Sequence, residues 1–109
     1  MNVQFKKWKC IAVGSAYLTN NMKAISLIDA EDGEPIATAT VNIVEVEDLP
    51  DDEVFIKDYS ENMGMVKALI DADIIDPQVI LSVNNGHVKI QSFKLTEKAL
   101  KTLWKDEYN

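Results

Sequence analysis

The chain contains no arginine at all; its eleven basic residues are all lysines. Arginine is the usual choice for bidentate recognition of phosphates and base edges, so its absence argues against specific nucleic-acid or nucleotide binding. There is one cysteine, Cys10, and one histidine, His87. A single cysteine excludes an internal disulfide and suits a reducing compartment. One cysteine and one histidine cannot furnish the four ligands of a structural zinc site. Glycine occurs four times, at isolated positions, so no phosphate-cradling loop is present. No apolar run approaches the ~20 residues of a membrane helix. Lys6, Lys7 and Lys9 precede the alternating stretch Cys10–Val13, which is too short for a signal-peptide core, so the expected location is cytoplasmic.

What is present is an ordinary globular composition in 109 residues, 47% hydrophobic and 27% charged, which predicts one domain. The formal charge of −7 is unevenly distributed. Residues 29–76 hold fifteen of the eighteen acids and only Lys57 and Lys67, a local net of −13. Four lysines and no acid precede them, and five lysines against three acids follow.

The apolar periodicity predicts a strand over Val3–Val13, broken by Gly14-Ser15. Lys23–Ala30 and Pro35–Val44 form a hairpin across Glu31-Asp32-Gly33, with Gly33 left-handed. That register places Ile25 and Leu27 on one face with Ala37, Ala39, Val41 and Ile43. Glu45–Glu53 is an acidic connector around Pro50, and Val54–Ile56 a short strand. Asp58 starts a helix, with Glu61 closing a capping box and Ser60 as the competing cap. Met63, Val66 and Ile70 share its buried face, beside Met65 and Leu69. Gly64 lies within this helix, where close approach to the sheet would explain it, and Asp76-Pro77 ends it. Gln78–Phe93 is a hairpin about a type I′ Asn85-Gly86 turn, setting Val83 opposite Val88 and Leu81 opposite Ile90. Thr96 caps a last helix, with Leu95 stapled to Leu100 and Ala99, Leu100, Leu103 and Trp104 docked. The expected architecture is α+β: an antiparallel β-sheet of about five to six strands with two α-helices packed on it, in the order β-β-β-β-α-β-β-α.

Catalytic chemistry finds little support. Cys10 flanked by Trp8 and Ala12 reads as an inert core thiol rather than the partner of His87. Asp71, Asp73 and Asp76 do not match the spacing of a calcium loop, nor do Asp48, Asp51, Asp52 and Glu53. No cofactor is implied. Phe5, Lys6, Lys7, Trp8 and Lys9 interleave rings with positive charge, as a weak single-stranded nucleic-acid platform would, although a strand with one solvated face is the preferred reading. A small enzyme working through two carboxylates would need them converging in an apolar cleft. The acidic middle is the strongest feature: it repels nucleic acid, attracts basic surfaces over roughly 8–10 Å, and can imitate a row of phosphates. Its simpler role is to keep a small protein soluble.

Asp32–Pro35, Ala37–Asn42, Leu49-Pro50, Phe55–Asn62 and Gly64-Met65 form a pattern that resembles a small domain-of-unknown-function family of bacteria, their phages and plasmids. The resemblance spans about residues 22–75 and the Leu95–Leu100 segment; the 78–93 hairpin lies outside it. It implies a mobile-element setting and no catalytic residues. The expected function is then a non-enzymatic accessory protein that binds another protein with a basic surface, its sharper form an inhibitor of host defence or nucleic-acid-handling machinery. Glu45, Glu47, Asp48, Asp51, Asp52 and Glu53 would make the contact, with Tyr59 as an aromatic anchor. An unpaired sheet edge would also permit a homodimer.

Overall fold

Val3 and Phe5 alternate in one phase and Trp8, Cys10 and Ala12 in the other, and the chain reverses where the phase changes. In the computed structural model, which describes residues 1–46 and 48–108, β1 (Asn2–Phe5) and β2 (Trp8–Ala16) form a hairpin around Lys6-Lys7. Phe5 pairs with Trp8 and Val3 with Cys10, and Lys6 takes a positive φ of 53° in the turn. The expected single strand is therefore two. Nor does Gly14 break β2. A Cβ there would lie 2.7 Å from the Leu103 carbonyl oxygen and 2.9 Å from the Trp104 ring. Glycine lets the C-terminal segment lie directly on the strand.

β3 (Lys23–Asp29) and β4 (Pro35–Thr38) fold about Gly33 as expected, with Gly33 at φ 75°. Leu27 faces Ala37, and the Ala39 amide donates to the Ile25 carbonyl. The strand stops at Thr38 rather than Val44 because the chain changes partners. Thr40 bridges to Ile56 of β5 (Glu53–Ile56), and the Val41 amide donates to the Phe55 carbonyl. One alternating stretch thus stitches together two antiparallel sheets. The first has the order β1-β2-β3-β4; the second places β7 (Val88–Leu95) between β5 and β6 (Ile75–Asn85). The fold is α+β as expected, with seven strands in two sheets among the described residues instead of five to six in one.

The first helix is shorter than expected. A 3₁₀ turn at Ser60–Asn62 precedes α1 (Met65–Asp71), and Gly64 stands at the N-cap with φ 97°. Nothing lies within 4 Å of a Cβ built there, so the reason for glycine is its left-handed backbone, not close packing. Met63, expected in the core, is exposed; Met65, Ala68 and Leu69 are buried. The capping box does not form. Asp58 instead reaches forward from the loop, its Oδ1 accepting from the Gly64 amide at 2.8 Å and its Oδ2 from the Val66 amide at 2.9 Å. Glu61 pairs with Lys57.

Asp73, at φ 60°, ends α1 before Asp76-Pro77 is reached: the Ile74 amide bonds back to the Leu69 carbonyl at 2.9 Å and Ile74 is buried. This is a Schellman closure, with aspartate where glycine is preferred. Asp73→Gly should stabilise the protein by about 0.5–1 kcal/mol, because relief of the left-handed backbone exceeds the added chain entropy. A lower urea midpoint for the variant would contradict that conformation.

The second hairpin turns at Gly86-His87, with Gly86 at φ 66° in the first central position, as a type II′ turn requires. Asn85 consequently faces Val88, Val83 faces Ile90 and Leu81 faces Ser92, two places from the expected pairing. An irregularity between Val79 and Leu81 reverses the side-chain phase, and Phe93 is buried opposite Val79. Thr96 caps α2 (Glu97–Leu103) as expected, accepting from the Ala99 amide at 3.0 Å, and α3 (Lys105–Tyr108) follows. α1 packs on β1 and β6, and α2 on β2. Ile25, Leu27, Ile56, Leu69, Phe93 and Leu95, from both sheets and α1, share one apolar core.

Candidate functional site

After Thr40 the chain leaves regular structure and crosses to Glu53 as the acidic connector. Its apolar residues hold it down. Val41, Ile43, Val46 and Leu49 are half-buried and line a small crevice of about 10 Å³ with Tyr17, Met22 and Phe55. Backbone bonds from Val46 to Ile43 and from Glu53 to Pro50 tighten it into turns. The connector is thus anchored on either side of Glu45 and Asp48.

The acids along it fall into two groups. Glu45 and Asp48 are exposed. Asp51, Asp52 and Glu53 are tied into the structure. Asp51, 63% exposed, pairs at 2.8 Å with the Lys23 ammonium, whose own side chain is only 2% exposed. That ammonium also lies 5.6 Å from the centre of the Trp104 ring, and the Trp104 indole N–H donates to the Ser15 carbonyl at 3.0 Å. A strand, the connector and the C-terminal segment therefore meet at one lysine. Lys23 falls in the same alternating phase as Ile25 and Leu27, and this was the sequence signal that it points inward. Asp52 is half-buried and 3.9 Å from Lys94. Glu53 is half-buried and accepts from the Ser92 hydroxyl at 3.5 Å. Glu47 lies outside the described residues.

Lysines from the flanking segments thus offset part of the acidic charge. Tyr59 is not beside these acids. It lies beyond the opposite end of β5, half-buried, with the Lys57 ammonium 5.6 Å from its ring centre. The hydrogen bond to Glu61 raises the Lys57 pKa, and the same bond lowers that of Glu61. The pair is an exposed i,i+4 contact with one polar function, holding the loop before α1.

The remaining candidates separate spatially. His87 is at the tip of the second hairpin and Cys10 is buried in the first sheet. Burial, and then the nearby Asp29 charge, raise the Cys10 pKa, which disfavours its thiolate. Asp71 pairs with Lys67 at 2.6 Å, Asp73 closes α1, and Asp76 lies in β6. Among the described residues no three His, Cys, Asp or Glu side chains gather where they could hold a metal ion. A cleft of about 560 Å³ lies beside β1 and α1, lined by Asn2, Gln4, Lys9, Cys10, Ala68 and Asp71 among others. Its one lining carboxylate is the Asp71 already paired with Lys67, so no two acids converge there. Phe5 is buried and Trp8 half-buried, their ring centres 6.5 Å apart in a stacked arrangement. Lys6 and Lys7 each lie 5.3 Å from one of these rings, and Lys6 donates to the Glu61 carbonyl at 2.7 Å. A base-stacking platform needs open ring faces, and the buried Phe5 offers none.

No family model, curated protein or solved structure matches the chain. Among the described residues no helix is long and apolar enough to cross a membrane.

Proposed function

We propose that this chain is a non-enzymatic accessory protein of a phage or other mobile element, acting by binding a protein with a basic surface. The observation that carries this reading is the anchored connector. Its apolar side chains are held against Tyr17, Met22 and Phe55, while Glu45 and Asp48 project outward. Charges on a fixed backbone can be complementary to a partner without the entropy cost of ordering a loop. The mobile-element setting rests on the resemblance of residues 22–75 to the bacterial, phage and plasmid family. In that setting the partner is host defence or nucleic-acid-handling machinery, whose phosphate-binding groove the acids would occupy. Asp51, Asp52 and Glu53 contribute to the local field while serving the fold. Tyr59, on the far side of β5, supports a separate contact rather than an anchor within this one.

Immobilised protein exposed to bacterial lysate at about 0.05 M salt should retain a basic protein. Raising salt to about 0.5 M should release it, since surface charges are then screened within a few ångströms. Retention of nothing, or retention indifferent to salt, contradicts the reading.

A further inference from the structure

Among the described residues β6 is the longest strand and the least covered. Of its eleven residues only Ile75 is buried. Val79, Ile80 and Leu81 are 40%, 49% and 39% exposed, three consecutive large apolar side chains on one strand. β6 pairs with β7 on one side and is the outermost strand of its sheet. Strand edges in monomeric proteins are usually guarded by charged side chains, lysine above all. From Pro77 to Gly86 this edge carries no charge. Its guards are Pro77 at one end and the irregularity at Ile80, which leave the regular segment from Leu81 onward able to pair about Ser82.

We propose that this edge pairs with the same edge of a second copy, antiparallel about a two-fold axis at Ser82, to form a homodimer. Asn85 and Val88 close the hairpin as a hydrogen-bonded pair, so Val83 and Leu81 also direct their amides toward β7. The backbone groups of Asn84 and Ser82 then point away from the sheet. With the axis at Ser82, each Ser82 faces its equivalent, and Leu81 of each copy faces Val83 of the other. The contact is isologous and an apolar ladder is completed on both sides of the axis. Charge selects this occupant. Each copy carries −7, so two copies repel over most approaches, and the uncharged β6 edge is the approach that brings no further like charges together. An identical neutral, apolar strand complements it. A charged partner strand would leave its charges facing Val79, Ile80 and Leu81.

The dimer and the acidic contact respond to salt in opposite directions. Salt screens the repulsion between copies and tightens the dimer, while it loosens a contact made by Glu45 and Asp48. Sedimentation from about 1 μM to about 1 mM should show the 12.2 kDa chain passing to twice that mass, at lower concentration when salt is raised. Ser82 is exposed, its side chain making one long hydrogen bond of 3.4 Å to Gln91, so Ser82→Lys leaves the monomer fold intact. It sets two ammonium groups opposite each other at the axis and should weaken self-association at least about tenfold. Ser82→Cys should give a dimer cross-linked without reductant. A hydrogen-bonded pair has its Cα atoms about 5.5 Å apart, within disulfide reach, and Cys10 is buried. A wild-type chain that stays monomeric throughout overturns the proposal. So does a dimer that Ser82→Lys leaves unchanged, or one that Ser82→Cys fails to cross-link. If Ser82→Lys abolishes lysate capture by a monomeric wild type, the edge belongs to a foreign strand and the proposal also fails.

Discussion

Gly14→Ala should destabilise the protein by about 3 kcal/mol, the upper part of the range for overpacking a core site. The added methyl would lie 2.7 Å from the Leu103 carbonyl oxygen and 2.9 Å from both the Leu103 Cβ and the Trp104 ring. One of these neighbours is backbone and cannot rotate aside. Relief therefore requires α2 and Trp104 to move away from β2. That movement loosens the Trp104 indole bond to Ser15 and the Lys23 contact with the ring face. Urea unfolding followed by tryptophan emission should show a lower midpoint and altered native emission, since Trp104 is buried and Trp8 half-buried. An unchanged midpoint would mean that the C-terminal segment does not rest on β2.

Asp58→Ala should cost about 2 kcal/mol. One carboxylate satisfies two amides at the start of α1, those of Gly64 and Val66, and losing an N-cap alone costs up to about that amount. Asp58→Asn retains one acceptor oxygen and should recover roughly half of the loss. Hydrogen exchange localises the effect: the Gly64 and Val66 amides should exchange faster in Asp58→Ala, whereas the Ala99 amide, capped by Thr96, should not. Equal acceleration at all three would place the loss in global stability and contradict a local cap.

Several parts of this architecture were legible in the residues because a local rule determined them. Gly33 supplies the positive φ of the β3–β4 turn, Thr96 caps α2, and alternation pairs Leu27 with Ala37. Others depended on tertiary choices. The reversal at Lys6-Lys7 was marked only by the phase change between Phe5 and Trp8, because lysine is not a usual turn residue. Asn85-Gly86 suits a type I′ turn, yet Gly86 also permits type II′ one place later, and that alternative buries Ile90, Ser92 and Phe93 together. Gly64 and Asp73 both take left-handed backbone, which shortened a helix whose apolar pattern alone ran further. Charge composition marks Glu45–Glu53 as an acidic stretch. It did not reveal that Asp51 and Asp52 are matched by Lys23 and Lys94, because those pairs join residues distant in the chain.

Glu45 and Asp48 can be separated from general acidity by a paired charge exchange. The double substitution Glu45→Lys with Asp48→Lys alters net charge by the same amount as Glu31→Lys with Glu34→Lys, which lies on the exposed β3–β4 turn. If the anchored connector is the docking surface, the first pair should reduce capture of the basic protein at least about tenfold and the second should change it little. Equal loss from both pairs would mean that retention follows total charge, and the connector would have no special part in it.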